Sequence, residues 1–431
     1  MSIGKTCQDV KSAAIKLAAC STDIKNSALA MIARELEAHK EEIFRANQED
    51  LRRSKAENIP MPLIKRLRFD ESKLDDVISG INSLIALEDP VGKTMAATEL
   101  DEGLELFKVT CPIGAIAVIF ESRPDALVQI STLCLKSGNG VLLKGGSEAI
   151  ETNRVLARII ISASEAAGIP GGWCSLLETR YEIKELLKQD RYVDLIIPRG
   201  SNEFVRYIMD NTKIPVMGHA DGICHCYIDP SADLEMALGI AIDSKAQYVA
   251  VCNALETLLV HRDIAKSFLP MLRKASDEKN IELFGCSETA SIIDVSPATE
   301  DSWRTEYLDY KLSVKVVGSL EEAIDHINTY GSGHTDSIVT NDRETAARFM
   351  SLVDSGNVFW NCSTRFNDGF RYGLGAEVGI STGKLHARGP VGLEGLVIYK
   401  YMLLGNGHIV ADYAEKRRTF THRKLDKDFQ I

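Results

Sequence analysis

The sequence predicts an α/β protein in which parallel sheets carry helices on both faces. From residue 113 onward, short apolar runs alternate with segments of helical period. The stretches joining successive runs are long enough for right-handed helical crossovers. The chain's 431 residues, 45% of them hydrophobic, supply cores for two or three domains of about 150 residues each.

The first ninety or so residues form an amphipathic helical layer in this reading. Leu29, Ile32, Leu36 and Ile43 recur at helical spacing behind Ser21, Thr22 and Asp23, whose side chains suit a helix start. Pro60, Pro62 and Asp89-Pro90 punctuate the layer. Residues 100–110 alternate apolar and charged side chains about Glu102-Gly103, which predicts an exposed hairpin. Strands are expected next at 113–120, 140–143, 173–177, 193–197 and 215–217. Between the first two, Pro124 opens a helix with the stripe Leu127, Ile130, Cys134, and Gly138 is placed to end it in the left-handed conformation. The next helix carries Leu156, Ile159, Ile160 and Ala163 and stops at Gly168 and Pro170. A second α/β unit begins near Ile228, with strands at 257–261, 313–317, 337–340 and 357–360 and helices at 264–275 and 320–328. Beyond it, Gly369, Gly373, Gly375, Gly379 and Gly383 interleave with Arg365, Arg371, Glu377, Lys384, His386 and Arg388 before the apolar run 395–398. A glycine-rich stretch so dense in charge is a binding loop rather than a linker.

Composition narrows the function. With 50 Lys+Arg against 61 Asp+Glu, the net charge of -11 supplies no cationic stripe for a nucleic acid. No apolar run approaches the roughly 18 residues of a membrane span, and the N-terminus lacks the apolar core of a signal peptide. A soluble, cytoplasmic protein is expected. The ten cysteines are scattered without a C-x-x-C pair, so neither a disulfide framework nor a metal site is expected. Cys224-His225-Cys226 alternates faces in a strand and reads as small buried side chains.

The dinucleotide fingerprint G-x-G-x-x-G is absent. Two turns, Lys144-Gly145-Gly146-Ser147 and Pro198-Arg199-Gly200-Ser201, nevertheless each put a cation, glycine and a hydroxyl between a strand and a helix, where backbone N–H groups favour phosphate. Among the cysteines, Cys252 stands at a junction between a helical segment and a strand, with the amide of Asn253 beside it as a donor to any oxyanion formed there. On the residues alone, a structural and a catalytic Cys252 stand level.

Longer motifs separate those two readings. The runs 114–124 (GAIAVIFESRP), 135–139 (LKSGN), 251–261 (VCNALETLLVH), 373–382 (GLGAEVGIST) and 384–390 (KLHARGP) closely resemble the gamma-glutamyl phosphate reductases, a family of the aldehyde dehydrogenase superfamily. The resemblance spans nearly the whole chain in the same order. It implies a Rossmann-type NADPH-binding domain over 1–227, whose hairpin at about 98–111 serves oligomerisation. An α/β catalytic domain over 228–395 and an oligomerising strand and tail over 396–431 follow. It implies that Cys252 attacks the acyl phosphate of L-glutamate 5-phosphate, and that NADPH reduces the resulting thioester to glutamate 5-semialdehyde, the second step of proline synthesis. Lys144 and Ser147 would lie near the adenosine ribose and its 2'-phosphate; helix geometry lets the neighbouring Glu148 turn away to solvent. The turn of Pro198, Arg199, Gly200 and Ser201 would lie near the pyrophosphate, and Glu306 on the nicotinamide ribose. Arg123, Ser363 and Arg365 would meet the substrate. A homo-oligomer and a glutamate 5-kinase partner belong to the same expectation.

Two departures from the wider superfamily carry chemical meaning. Aldehyde-oxidising relatives use a glutamate to activate water, whereas the stretch 216–221 (VMGHAD) has Gly218 about where that base would stand. A reductase has reason to lack it, since hydrolysis wastes an acyl phosphate. The oxidisers also offer an asparagine to the oxyanion, where this chain offers Glu121-Ser122-Arg123, and Arg123 is suited either to phosphate or to an ion pair with Asp125 or Glu121. Two other functions remain beside the reductase: an NADP-dependent semialdehyde dehydrogenase that makes an acid, and a non-catalytic scaffold that kept the fold.

Overall fold

The computed structural model describes residues 2–430 apart from Ser122, Ala220 and Gly375, so those three members of the motifs above lie outside the described residues. The helical layer forms as its periodicity requires. Ser21 caps helix Thr22–Ala38 by accepting the Ile24 N–H, a contact worth about 1 kcal/mol. Leu29, Ile32, Leu36 and Ile43 are all buried in one core with Leu133, Leu156 and Ile160 of the following α/β unit. Asp50 of helix Lys40–Ala56 is fully buried at the start of helix Ile150–Ala166, where it accepts the Thr152 N–H at 2.8 Å and its hydroxyl at 2.7 Å. A carboxylate there complements the helix dipole and pins the turn at Lys144–Ser147 against the outer layer.

The first sheet is parallel, in the order Cys174–Leu177, Gly140–Lys144, Ala115–Phe120, Leu195–Arg199. The strand expected at 215–217 reduces to one bridge, Val216 to Ile196. Helix Pro124–Lys136 ends as anticipated, with Gly138 at φ +75°. Register pairs Ile119 with Lys144 and Phe120 with Arg199, so these side chains mark a common carboxyl edge. The chain steps outward from Ala115–Phe120 in one direction and returns on its other side, which puts the topological switch point just beyond Phe120 and Arg199. Open α/β sheets bind their ligands in that crevice.

The second sheet has seven parallel strands: Ser296–Pro297, Glu282–Gly285, Lys311–Val317, Leu255–His261, Cys224–Ile228, Thr335–Val339, Asn357–Trp360. Cys224–Ile228 is an inner strand, so the domain boundary expected between 227 and 228 falls inside it, and the chain crosses between sheets before Cys224. The glycine-rich stretch then turns back: Val378, Ala387 and Val391, around the hairpin of Gly379–Ser381 and Gly389–Val391, are buried in the first core. An antiparallel sheet stands apart, ordered Val397–Leu404, Leu104–Pro112, Thr94–Asp101, Arg423–Leu425. The hairpin about Glu102-Gly103 belongs to it, with Gly103 at φ +73°. Among the described residues, no helix is long and apolar enough to cross a membrane.

Candidate active site

Cys252 lies half-buried in the turn between helix Leu234–Ala246 and strand Leu255–His261. Its carbonyl accepts the Cys224 thiol at 3.2 Å. The crossing segment passes so close that a Cβ built on Gly222 would stand 2.6 Å from the Cβ of Cys252. Only glycine fits there. The sulfur lies within 4.8 Å of a ring nitrogen of His219 and of one of His334, which lie within the same distance of each other. The two rings are T-shaped at 4.7 Å. His219 bonds the Ile380 carbonyl through Nδ1 at 2.9 Å, an acceptor that makes Nδ1 the protonated nitrogen and leaves the lone pair on Nε2. His334 is fully buried; its Nδ1 meets the Thr335 hydroxyl at 2.8 Å, and its Nε2 has no hydrogen-bond partner.

Two guanidinium groups, Arg199 of the first unit and Arg365 of the second, lie near enough to Cys252 to feel its charge. Arg365 bonds Oδ1 of Asn253 through Nη1 and Oε1 of Gln247 through Nε at 3.0 Å. Burial pushes its pKa down, reinforced by Arg371, while Asp368 and Cys252 oppose. Arg199 is likewise pushed down by burial and by Arg123, against Glu377, Asp125 and Cys252. Glu377 is pushed up by burial, although Arg199 and the Gly369 N–H at 2.8 Å hold it down.

Several expected roles change in the structure. The Asn253 amide is partly committed: one N–H goes to the Asn367 carbonyl at 2.7 Å and its oxygen accepts from Arg365, because the glycine-rich segment packs on this turn. Ser363 is buried as the cap of the turn Thr364–Phe366, accepting the Arg365 N–H at 3.3 Å and the Ser244 hydroxyl at 3.1 Å, so it braces Arg365. Arg123 takes the ion-pair alternative, reaching Asp125 at 3.0 Å. Lys384 and Arg388 pair with Asp354, and His386 meets the Glu394 carbonyl at 3.3 Å.

On the cofactor side, the Glu121 carboxylate accepts the N–H of Ser201 and is pushed up by burial and by Glu148. The turn of Pro198, Arg199, Gly200 and Ser201 thus already holds an anionic group at the start of helix Asn202–Asp210. Lys144 is buried and bonds the Gly145 carbonyl, whereas Ser147 is exposed. Glu148 does not turn away to solvent; its carboxylate folds back over Gly146. Glu306 accepts from the side chain of Asn202 of the first unit at 2.7 Å. Lys144 and the Ser201 N–H suit the anionic part of a nucleotide at the carboxyl edge of the first sheet, which would take the place that the Glu121 carboxylate holds.

Sequence reasoning missed His334 and passed over His219. His219 had one available sign, its place beside Gly218 in the stretch where relatives carry a base. Nothing local marks His334.

Two parallel α/β sheets, one with a switch-point crevice at its carboxyl edge and the other carrying a half-buried cysteine beside two histidines, are the architecture of an α/β enzyme. Residues 2–289 and 285–375 match the aldehyde dehydrogenase family, and the chain belongs to that family, whose members work with a nicotinamide cofactor. Within it the chain falls among the gamma-glutamyl phosphate reductases. The relative of that name from Acetivibrio thermocellus is 71% identical over 431 residues, covering 100% of both chains. The one from Methanococcoides burtonii is 53% identical, covering 97% of this chain and 96% of its own. The crystal structure of gamma-glutamyl phosphate reductase from Thermotoga maritima superimposes with a TM-score of 0.92 at 39% identity, covering 95% of this chain and 100% of that one.

Proposed function

We propose that this chain reduces L-glutamate 5-phosphate to L-glutamate 5-semialdehyde, releasing inorganic phosphate, through a thioester on Cys252 and with NADPH as reductant. The nearness of Cys252 to two cations, Arg199 of one unit and Arg365 of the other, carries the reading, because a dianionic acyl phosphate with a distal carboxylate needs two cations and a nucleophile. His219 takes the thiol proton at Nε2, the nitrogen left bare by its bond to Ile380. The sulfur then bonds the acyl carbon as the carbon–oxygen bond to phosphate breaks, and the phosphate leaves with its electron pair. When bound, NADPH supplies the hydride that reduces the thioester and frees the thiolate.

Lys144 and Ser147 would hold the adenosine ribose and 2'-phosphate, the turn from Pro198 to Ser201 the pyrophosphate, and Glu306 the nicotinamide ribose. Ten free cysteines agree with a reducing, cytoplasmic setting. A glutamate 5-kinase would supply the substrate. A second copy of this chain would cover the exposed Ile398, Tyr401 and Leu403 on the edge strand Val397–Leu404.

The test runs the reaction backward: purified protein given glutamate semialdehyde and NADP should form NADPH only with inorganic phosphate or arsenate present. Phosphate-independent formation of glutamate would favour the aldehyde-oxidising alternative.

A further inference from the structure

We propose that His219, Cys252 and His334 form a binding site for a thiophilic divalent cation, with zinc the natural fit, and that its occupation shuts off the nucleophile. One sulfur and two imidazoles, all within 4.8 Å of one another, are a donor set suited to zinc rather than to magnesium or calcium. Ligand bonds of about 2.0–2.3 Å in a tetrahedron bring donors to about 3.3–3.6 Å. The remaining gap is closed by side-chain rotation of the half-buried Cys252 and His219.

The surroundings match those of metal-binding histidines. Such a histidine usually donates its second ring nitrogen to a carbonyl, a carboxylate or water, which fixes the tautomer and orients the ring. His219 does this to the Ile380 carbonyl at 2.9 Å, and His334 meets the Thr335 hydroxyl at 2.8 Å, itself bonded by the Asn367 amide at 2.5 Å. Independently, the Nε2 of His334 is buried without a partner, and an unsatisfied buried polar atom costs about 1–3 kcal/mol. A cation recovers that cost, with water or a substrate oxygen in the fourth position.

On binding, the thiol proton passes to solvent, a sulfur–metal bond forms, and no electrons are exchanged. The coordinated sulfur no longer attacks an acyl carbon. That inhibitory consequence rests on Cys252 as the nucleophile; the binding itself does not, so a spectroscopic titration separates the two. Cobalt(II) is the probe. The full-length protein should bind one equivalent, with a sulfur-to-cobalt charge-transfer band in the near ultraviolet and visible bands of a four-coordinate ion, which zinc then abolishes. C252S should lose the charge-transfer band, and H219N should weaken cobalt affinity by at least about tenfold. Should H334A fail to fold, H219N still decides. Wild-type turnover should fall as zinc is bound and return on adding a chelator. A charge-transfer band that survives in C252S, or cobalt affinity unchanged in H219N, would overturn the site; metal bound at these residues with turnover unaffected would overturn the inhibition and the role of Cys252 together.

Discussion

Arg365 donates through Nη1 to Oδ1 of Asn253, the residue that follows Cys252, so guanidinium and nucleophile sit on one bracket. The Asn253 amide fastens the other end to the Asn367 carbonyl. Asn253→Ala leaves both partners short of a bond in a buried site, a loss of about 1–3 kcal/mol in thermal or denaturant unfolding. Because the freed Arg365 still carries its charge but not its aim, KM for the acyl phosphate should rise more than kcat falls. A variant with normal KM would show that Arg365 does not meet the substrate.

Cys252→Ser and Cys252→Ala should each lower reductive turnover by more than about a thousandfold, since the thioester cannot form. Circular dichroism and NADPH binding should stay near the parent's, the proposed cofactor groups other than Glu306 lying on the first unit. Substantial turnover in either variant would end the mechanism.

Lys144→Ala addresses cofactor choice. Lys144 stands at the end of strand Gly140–Lys144, and Glu148 folds over the same turn, so the lysine cation and this carboxylate act on any 2'-phosphate with opposite signs. The expected outcome is a selective rise in KM for NADPH, with NADH little changed. Equal losses for both cofactors would assign Lys144 to the ribose or to the fold.

His326 governs part of the acid limb of stability. Burial, with His225 and Lys315 nearby, lowers its pKa to about 2, so the folded imidazole stays neutral where the unfolded one ionises near 6.5. Below pH 6.5 the unfolded chain therefore binds one more proton at this site, and stability falls by up to about 1.4 kcal/mol per pH unit. His326→Phe, seated among Trp303, Tyr330 and His225, should make the slope of unfolding free energy between pH 6 and pH 5 shallower by about that amount. An unchanged slope would mean that His326 already accepts a proton in the folded protein.

Tyr401→Lys tests the edge strand. Tyr401 is 62% exposed beside the exposed Ile398 and Leu403, and a lysine there discourages both burial and strand addition. Sedimentation should shift to the mass of a single chain. A parent protein that already sediments as one chain would remove the oligomer from this face.

Legibility in the sequence followed how local each cause was. Strand Asn357–Trp360 and the stop at Gly138 emerge from neighbouring residues alone, as does the cap at Ser21. Strand Glu282–Gly285 escaped because one face is exposed at Glu282 and the run is too short to display a period. The bridge at Val216 was overread as a strand, an apolar pair beside a proline being ambiguous without a partner. At the site, Cys252 needed the long motifs. The brace that Asn253 forms was hidden because its partners, Arg365 and Asn367, come 112 and 114 residues later, and His334 joined the cluster through tertiary approach only.

The close pass of Gly222 over Cys252 makes codon 222 a point of unusual genetic vulnerability. Every missense change of glycine adds at least a β-carbon, and here that atom has nowhere to go without displacing the sulfur relative to Arg199 and Arg365. In a library covering all positions and selected for growth without supplied proline, residue 222 should be emptied of every alternative, alanine included, even though no side chain from it ever takes part in the chemistry.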